Sequence, residues 1–290
     1  MHPHQRIAQL RQNIFALKIY HPAEVAPNVF RLSSEANPNN LLTLMFLTHG
    51  NEVGGYSILT SFLTKLSTNQ ITLPFSVTFI IGNEEAFRAD KRFLEQDLNR
   101  SFGKQGTSGL EDNRARQIEP FLRNTPWFID FHQTIGPSRT PFFVFPFSRK
   151  GVWFAHQLNK NIPIVTHWHG GFSQDGMCTD EFVNQCKGTG ITIETGQKGY
   201  DAKQAEIGAS LIEKALTIIA NLQSDALHMD FNPLFMDNLA KNIFTMRQVI
   251  RPKEQVNQWH IVKGFSNFSS VQKNQLLCWS ANSEIRAETD

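Results

Sequence analysis

The stretch Leu41-Leu42-Thr43-Leu44-Met45-Phe46-Leu47-Thr48-His49-Gly50-Asn51-Glu52 sets the reading of this chain. Its apolar first part predicts a buried strand, and the residues that follow deliver an imidazole and a carboxylate where the chain leaves the sheet. Open α/β sheets keep their ligand sites at the carboxyl ends of strands. A second strand-like run, Trp127 to Phe131, ends on His132, and a third, Ile191 to Ile193, ends on Glu194 before Thr195-Gly196. Two His and one Glu commonly form an open catalytic zinc site, and a separate Glu can take the proton from the attacking water. A lone His-x-x-Glu reads as easily as a capped loop or a surface ion pair. The three strand ends taken together favour a metal site.

Working outward, Ile7, Leu10, Ile14 and Leu17 share one face of a predicted helix over residues 5 to 19, which Pro22 and Pro27 stop. A helix over 53 to 66 should pack behind the ligand loop. Phe75 to Ile81 reads as a strand, Leu110 to Leu122 as a charged amphipathic helix, 127 to 132 and Phe142 to Phe147 as strands, and Asp201 onward as one long helix. Such alternation predicts an α/β domain, helices covering a central sheet, over residues 1 to 225. Beyond it the helical period is lost. Phe244 to Ile250, Trp259 to Val262, Val271 and Gln275 to Trp279 read as short strands separated by turns, a small β domain over 226 to 290. Its last residues look like the start of a further strand and turn, so a truncated end is among the expectations.

Composition bounds the function. With 290 residues, 40% hydrophobic and 19% charged, the chain can bury a generous core and is not a disordered segment. A net charge of +2 with scattered Lys and Arg excludes a nucleic-acid surface. Three cysteines without a CxxC pair argue against a disulfide framework and for a reducing compartment, hence the cytoplasm. No apolar run approaches a membrane span, and the N-terminus lacks a signal core. Cys178 and Cys186 read as buried thiols in a helix. His167-Trp168-His169-Gly170-Gly171 reads as a loop at a pocket rim.

Other residues fit hydrolysis next to a carboxylate. Asp130 lies two positions before His132, on the same strand face, where it could fix an imidazole tautomer. A guanidinium such as Arg92 can stabilise an oxyanion, and Asn99 with Arg100 can hold a carboxylate in a forked geometry, although any one of them alone reads as surface charge. Glu194, between apolar Ile191 and Ile193 and the Gly196 turn, suits a base, and its plainer reading is a salt-bridge partner.

Together His49-Gly50-Asn51-Glu52, the Gly82-Asn83-Glu84-Glu85-Ala86 turn, Arg92 with Asp97-Leu98-Asn99-Arg100, Asp130-Phe131-His132 and Ile193-Glu194-Thr195-Gly196 resemble the succinylglutamate desuccinylase/aspartoacylase family of the zinc carboxypeptidase superfamily. The resemblance covers about residues 41 to 200, and the later segment looks like that family's small β domain. It implies a mixed sheet of about eight strands sandwiched by helices. It also implies one zinc ion held by His49, Glu52 and His132, with Glu194 as base and later proton donor. Arg92 would polarise the scissile carbonyl, and Asn99 and Arg100 would bind a substrate carboxylate. The implied activity is zinc-dependent hydrolysis of the amide bond of a carboxylate-bearing N-acyl amino acid. A zinc carboxypeptidase, or a silent metal-binding protein of the same fold, are the alternatives. The expected partner is a small carboxylate-bearing substrate; no nucleic acid or membrane is expected, and assembly into a homo-oligomer stays open. One departure stands out: the family brings in a late tyrosine, whereas this chain has only Tyr20, Tyr56 and Tyr200.

Overall fold

The structure, a computed structural model, describes residues 3–167, 176–229, 231, 242–246 and 259–288. In chain order the elements are α1 (Pro3–Ala16), β1 (Ala23–Ala26), β2 (Val29–Leu32), β3 (Asn40–Phe46), α2 (Gly54–Ser67), β4 (Ser76–Ile81), α3 (Glu84–Arg88) and α4 (Leu110–Arg123). There follow β5 (Trp127–Thr134), β6 (Phe142–Pro146), α5 (Arg149–Leu158), β7 (Ile164–His167), α6 (Thr179–Gln185), β8 (Thr189–Gln197) and α7 (Ala202–Gln223). Four short strands close the chain: β9 (Ile243–Thr245), β10 (His260–Ile261), β11 (Leu276–Trp279) and β12 (Glu284–Arg286).

Nine strands form one mixed sheet in the order β1-β2-β4-β3-β5-β8-β6-β7-β9, and β10-β11-β12 form a separate antiparallel sheet. At its centre β4, β3, β5 and β8 run parallel. From β3 the chain steps to β4 on one side and then crosses to β5 on the other, so the strand order reverses between β3 and β5. The carboxyl ends of strands at such a switch point leave a crevice between diverging connections.

Period-2 alternation divides the two faces. Leu42, Leu44 and Phe46 of β3, Trp127, Ile129 and Phe131 of β5, and Ile191 and Ile193 of β8 join the core beneath α1, α2, α5 and α7. On the other face Met45 and Phe128 pack with Ala115, Ile118 and Leu122 of α4 and with Phe182 and Val183 of α6. Alternation therefore puts Asp130, His132, Thr192 and Glu194 on the α4/α6 face. Burial follows, with Asp130 at 0% and His132 at 3% exposure.

The sheet exceeds the expected eight strands because of pieces at its edges. β1 and β2 make a hairpin about Pro27-Asn28, with Asn28 at φ +59°; those prolines were read only as the end of a helix. At the far edge β9 pairs parallel with β7, and β9 comes from the segment beyond residue 225. Of the strand expected at Phe244 to Ile250, residues 247–250 lie outside the described residues. Val271 lies in irregular structure instead of a strand. Cys178 and Cys186 flank α6 as its caps and do not sit within it. Among the described residues no helix is long and apolar enough to cross a membrane.

Candidate active site

The ligand loop is forced into shape at both ends. Leu47, which ends the β3 run, adopts φ +57°, a left-handed conformation that a branched residue reaches only when its surroundings impose it. The chain thereby turns off the sheet and aims His49 over the end of β5. At Gly50 a β-carbon would lie 2.2 Å from the carbonyl carbon of Ala86 and the amide nitrogen of Phe87, so only glycine lets the loop rest on α3. Downstream, the Gly54 N–H donates to Gln133 Oε1 at 2.8 Å, and Gln133 N–H donates to Glu52 Oε2 at 3.0 Å. Loop and β5 are thus tied directly together.

These constraints bring three side chains to a point. His132 Nδ1 lies 3.1 Å from His49 Nδ1 and 3.0 Å from Glu52 Oε2, and His49 Nδ1 lies 2.8 Å from Glu52 Oε1. All three residues are buried. Behind them, His49 Nε2 meets Asp97 Oδ1 at 2.9 Å, and His132 Nε2 lies 2.9 Å from Asp130 Oδ2. An ionised carboxylate only accepts, so the His49 ring proton belongs on Nε2 toward Asp97, and with Asp130 at ion-pair distance from His132 Nε2 the two Nδ1 atoms are left facing each other and Glu52. Converging lone pairs repel unless a cation sits between them. The donor set therefore fits a divalent metal, and two His with one Glu match an open zinc site.

The electrostatics agree. Burial pushes the Glu52 carboxyl up, yet the His49 and His132 imidazoles outweigh it and hold the group well below the usual carboxylate range. Burial pulls the His132 imidazole down, yet Asp130 and Glu52 raise it well above the usual histidine value. Asp97 is likewise held low, against burial, by His49 and then by Arg92 and Arg100. Positive charge is strongly favoured at this point.

Arg92 donates to Glu52 Oε1 at 2.8 Å and to Asp97 Oδ2 at 3.1 Å, which locks its guanidinium across a ligand and the carboxylate behind another. The loop carrying Arg92 and Asp97 is held by Glu111 of α4. This buried carboxylate accepts from the Leu94, Glu95 and Gln96 N–H groups at 2.7, 3.2 and 3.2 Å, and from Asn83 Nδ2 at 3.0 Å. Asp97 then caps the turn Leu98–Arg100 by accepting from Asn99 N–H. Asn99 Oδ1 accepts from Thr179 N–H at 2.9 Å, and Arg100 Nη1 approaches Cys178 Sγ at 3.2 Å.

Glu194 is the direct ladder partner of His132 across β5 and β8. A bulge follows immediately, and Thr195 Oγ1 donates to the His132 carbonyl at 3.0 Å. Glu194 Oε2 is buried with no hydrogen-bond partner, and burial pushes the carboxyl up to about 7, offset in part by His132. A cavity of about 280 Å³ opens here, lined by His49, Glu52, His132, Glu194, Arg92, Asn99 and Arg100, with Asp180, Cys178 and His167 completing its wall. The seven residues selected from the sequence share one cavity. Tyr200 does not join them: it is exposed, with the Arg6 guanidinium 4.1 Å from its ring centroid. Arg139 stays on an exposed loop, where its N–H donates to Asn267 Oδ1. His167 ends β7 on the cavity wall, whereas Trp168 to Gly171 lie outside the described residues.

Residues 40–224 match the family model described as the succinylglutamate desuccinylase/aspartoacylase catalytic domain. The chain is 36% identical over 240 residues to a succinylglutamate desuccinylase of Pseudomonas putida strain GB-1, covering 79% of this chain and 70% of that protein. It is 30% identical over 152 residues to the succinylglutamate desuccinylase of Photorhabdus laumondii, a match spanning 46% of this chain and 47% of that protein, about half of each. In fold it is similar to the crystal structure of the succinylglutamate desuccinylase from Chromobacterium violaceum, with a TM-score of 0.66 and 17% identity over 92% of this chain and 87% of that one.

Proposed function

Because the chain belongs to the succinylglutamate desuccinylase/aspartoacylase family, we propose that it is a zinc-dependent hydrolase that cleaves the amide bond of a carboxylate-bearing N-acyl amino acid. The observation that carries this reading is the convergence of His49, Glu52 and His132 beside a carboxylate, Glu194, that has no other partner at its buried oxygen. Zinc held by the three ligands would supply Lewis acidity toward water and the scissile carbonyl.

The protein's own groups account for the rest. Glu194 takes the proton of the attacking water and later returns it to the leaving nitrogen. Its apolar strand neighbours lift its proton affinity toward neutrality, and a nearby cation lowers it again, which keeps a working balance between the two transfers. Arg92, immobilised between Glu52 and Asp97, offers N–H groups to negative charge developing on the carbonyl oxygen. Asn99, its carbonyl oxygen already engaged by Thr179, has its NH₂ group left for a substrate carboxylate, and Arg100 adds the charge. A cavity of about 280 Å³ suits a small substrate better than a folded chain end.

Two measurements test this. Elemental analysis of the purified protein should find zinc, and a panel of N-acyl amino acids should be hydrolysed in preference to peptides. In Glu194→Gln, zinc should stay bound while turnover falls by about 10²- to 10⁴-fold, the usual worth of a general base. Unchanged turnover in that variant, or a protein that takes up no zinc, would remove the reading.

A further inference from the structure

Among the described residues five carboxylates lie in or around the ligand group, and four are accounted for. Glu52 faces both imidazoles and Arg92. Asp97 holds His49 and Arg92. Asp130 lies against His132 and accepts from Thr48 and Thr179 hydroxyls at 2.9 and 2.6 Å. Glu194 has the role of base. The fifth, Asp180, is only 2% exposed, lines the cavity, and has a backbone N–H, that of Glu181, as its hydrogen-bond donor. The charges around it are Asp130, Glu181 and His132, and among the described residues no Lys or Arg side chain pairs with it. Burial pushes its carboxyl up to about 7, with Asp130 adding to the shift. A buried acid with no Lys or Arg partner among the described residues is costly, and such an acid facing a cavity is a candidate to be completed by a ligand.

Resting on the hydrolase reading above, we propose that Asp180 is a specificity-determining residue that selects substrates carrying a protonated amine. Its place in the wall supports this choice. Asp180 lies two residues beyond Cys178, whose sulfur is 3.2 Å from Arg100 Nη1. Arg100 and Asp180 both line the cavity, which therefore offers a guanidinium and a carboxylate that has no Lys or Arg partner among the described residues, the complement of a substrate with both an anionic and a cationic group. A substrate bearing only carboxylates leaves Asp180 uncompensated or repelled.

The test uses the zinc-loaded full chain and matched N-acyl derivatives of ornithine, norvaline and glutamate, whose side chains end in an ammonium, a methyl and a carboxylate. Wild type should favour the ornithine compound over the norvaline compound in kcat/KM. In Asp180→Asn that ratio should fall by about 10- to 100-fold, the range of a charge-assisted hydrogen bond. An unchanged ratio, or a wild type without the preference, overturns the proposal. Calorimetric binding of the same compounds separates the two readings. An Asp180-dependent preference in binding without any hydrolysis would uphold the role of Asp180 and sink the hydrolase; hydrolysis without the preference would do the reverse.

Discussion

On one wall of the cavity His49, Glu52 and His132 each rest on further side chains: Asp97 behind one imidazole, Asp130 beside the other, and Arg92 on the carboxylate. Elsewhere in the lining Asn99 and Asp180 meet chiefly backbone amides, and Arg100 reaches its own neighbour's carbonyl oxygen and a thiol. The difference teaches where variation is tolerated. A ligand fixed by its own partner and by the sheet has one position, and moving any member disturbs the others. A wall held by backbone bonds keeps its shape when a side chain changes, so its charge pattern can be retuned without disturbing the ligand group.

The sharpest break of this contrast is His132→Ala. It removes a candidate ligand and leaves Asp130 buried with only the Thr48 and Thr179 hydroxyls and no imidazole, so zinc content and hydrolysis should both fall to background, measured by elemental analysis and by turnover. A smaller effect is expected for Asp97→Asn. The amide can still accept from His49 Nε2, but it no longer enforces the charge, and zinc affinity should drop by about 10- to 100-fold in a chelator competition. If that affinity were unmoved, the ligand wall would be less interdependent than its hydrogen bonds imply. The mildest is Arg100→Ala, which should raise KM about 10-fold for carboxylate-bearing substrates while leaving zinc content intact. Equal losses on a carboxamide analogue would show that Arg100 supports the wall and does not read the substrate.

His49, Glu52, His132 and Glu194 were legible in the sequence because each follows an apolar strand, and strand ends at a switch point are forced to converge by the sheet itself. Asp130 was legible by the same alternation. Asp97, Glu111, Gln133 and Asp180 were not assigned roles, for a physical reason: they act from loops, helix turns or a bulged strand end whose path depends on tertiary closure. Asp97 reaches His49 across 48 positions, and its local signal was only that of a residue starting a turn. Glu111 reads as a first-turn acid of an amphipathic helix, which is equally at home on a surface. The fold class was plain from strand and helix alternation, whereas the β1–β2 hairpin and the β7–β9 pairing were hidden in runs too short to show a period.

β9 carries a practical consequence. It is a strand of three residues, drawn from beyond residue 225, yet it covers the open side of β7. Without it, β7 would offer a row of unpaired amides and carbonyls to any neighbouring molecule, the geometry from which aggregates grow. A version trimmed at the end of α7 would retain His49, Glu52, His132 and Glu194 and still be difficult to keep in solution. Shelf life at high concentration, more than chemistry, then limits how far this chain can be shortened.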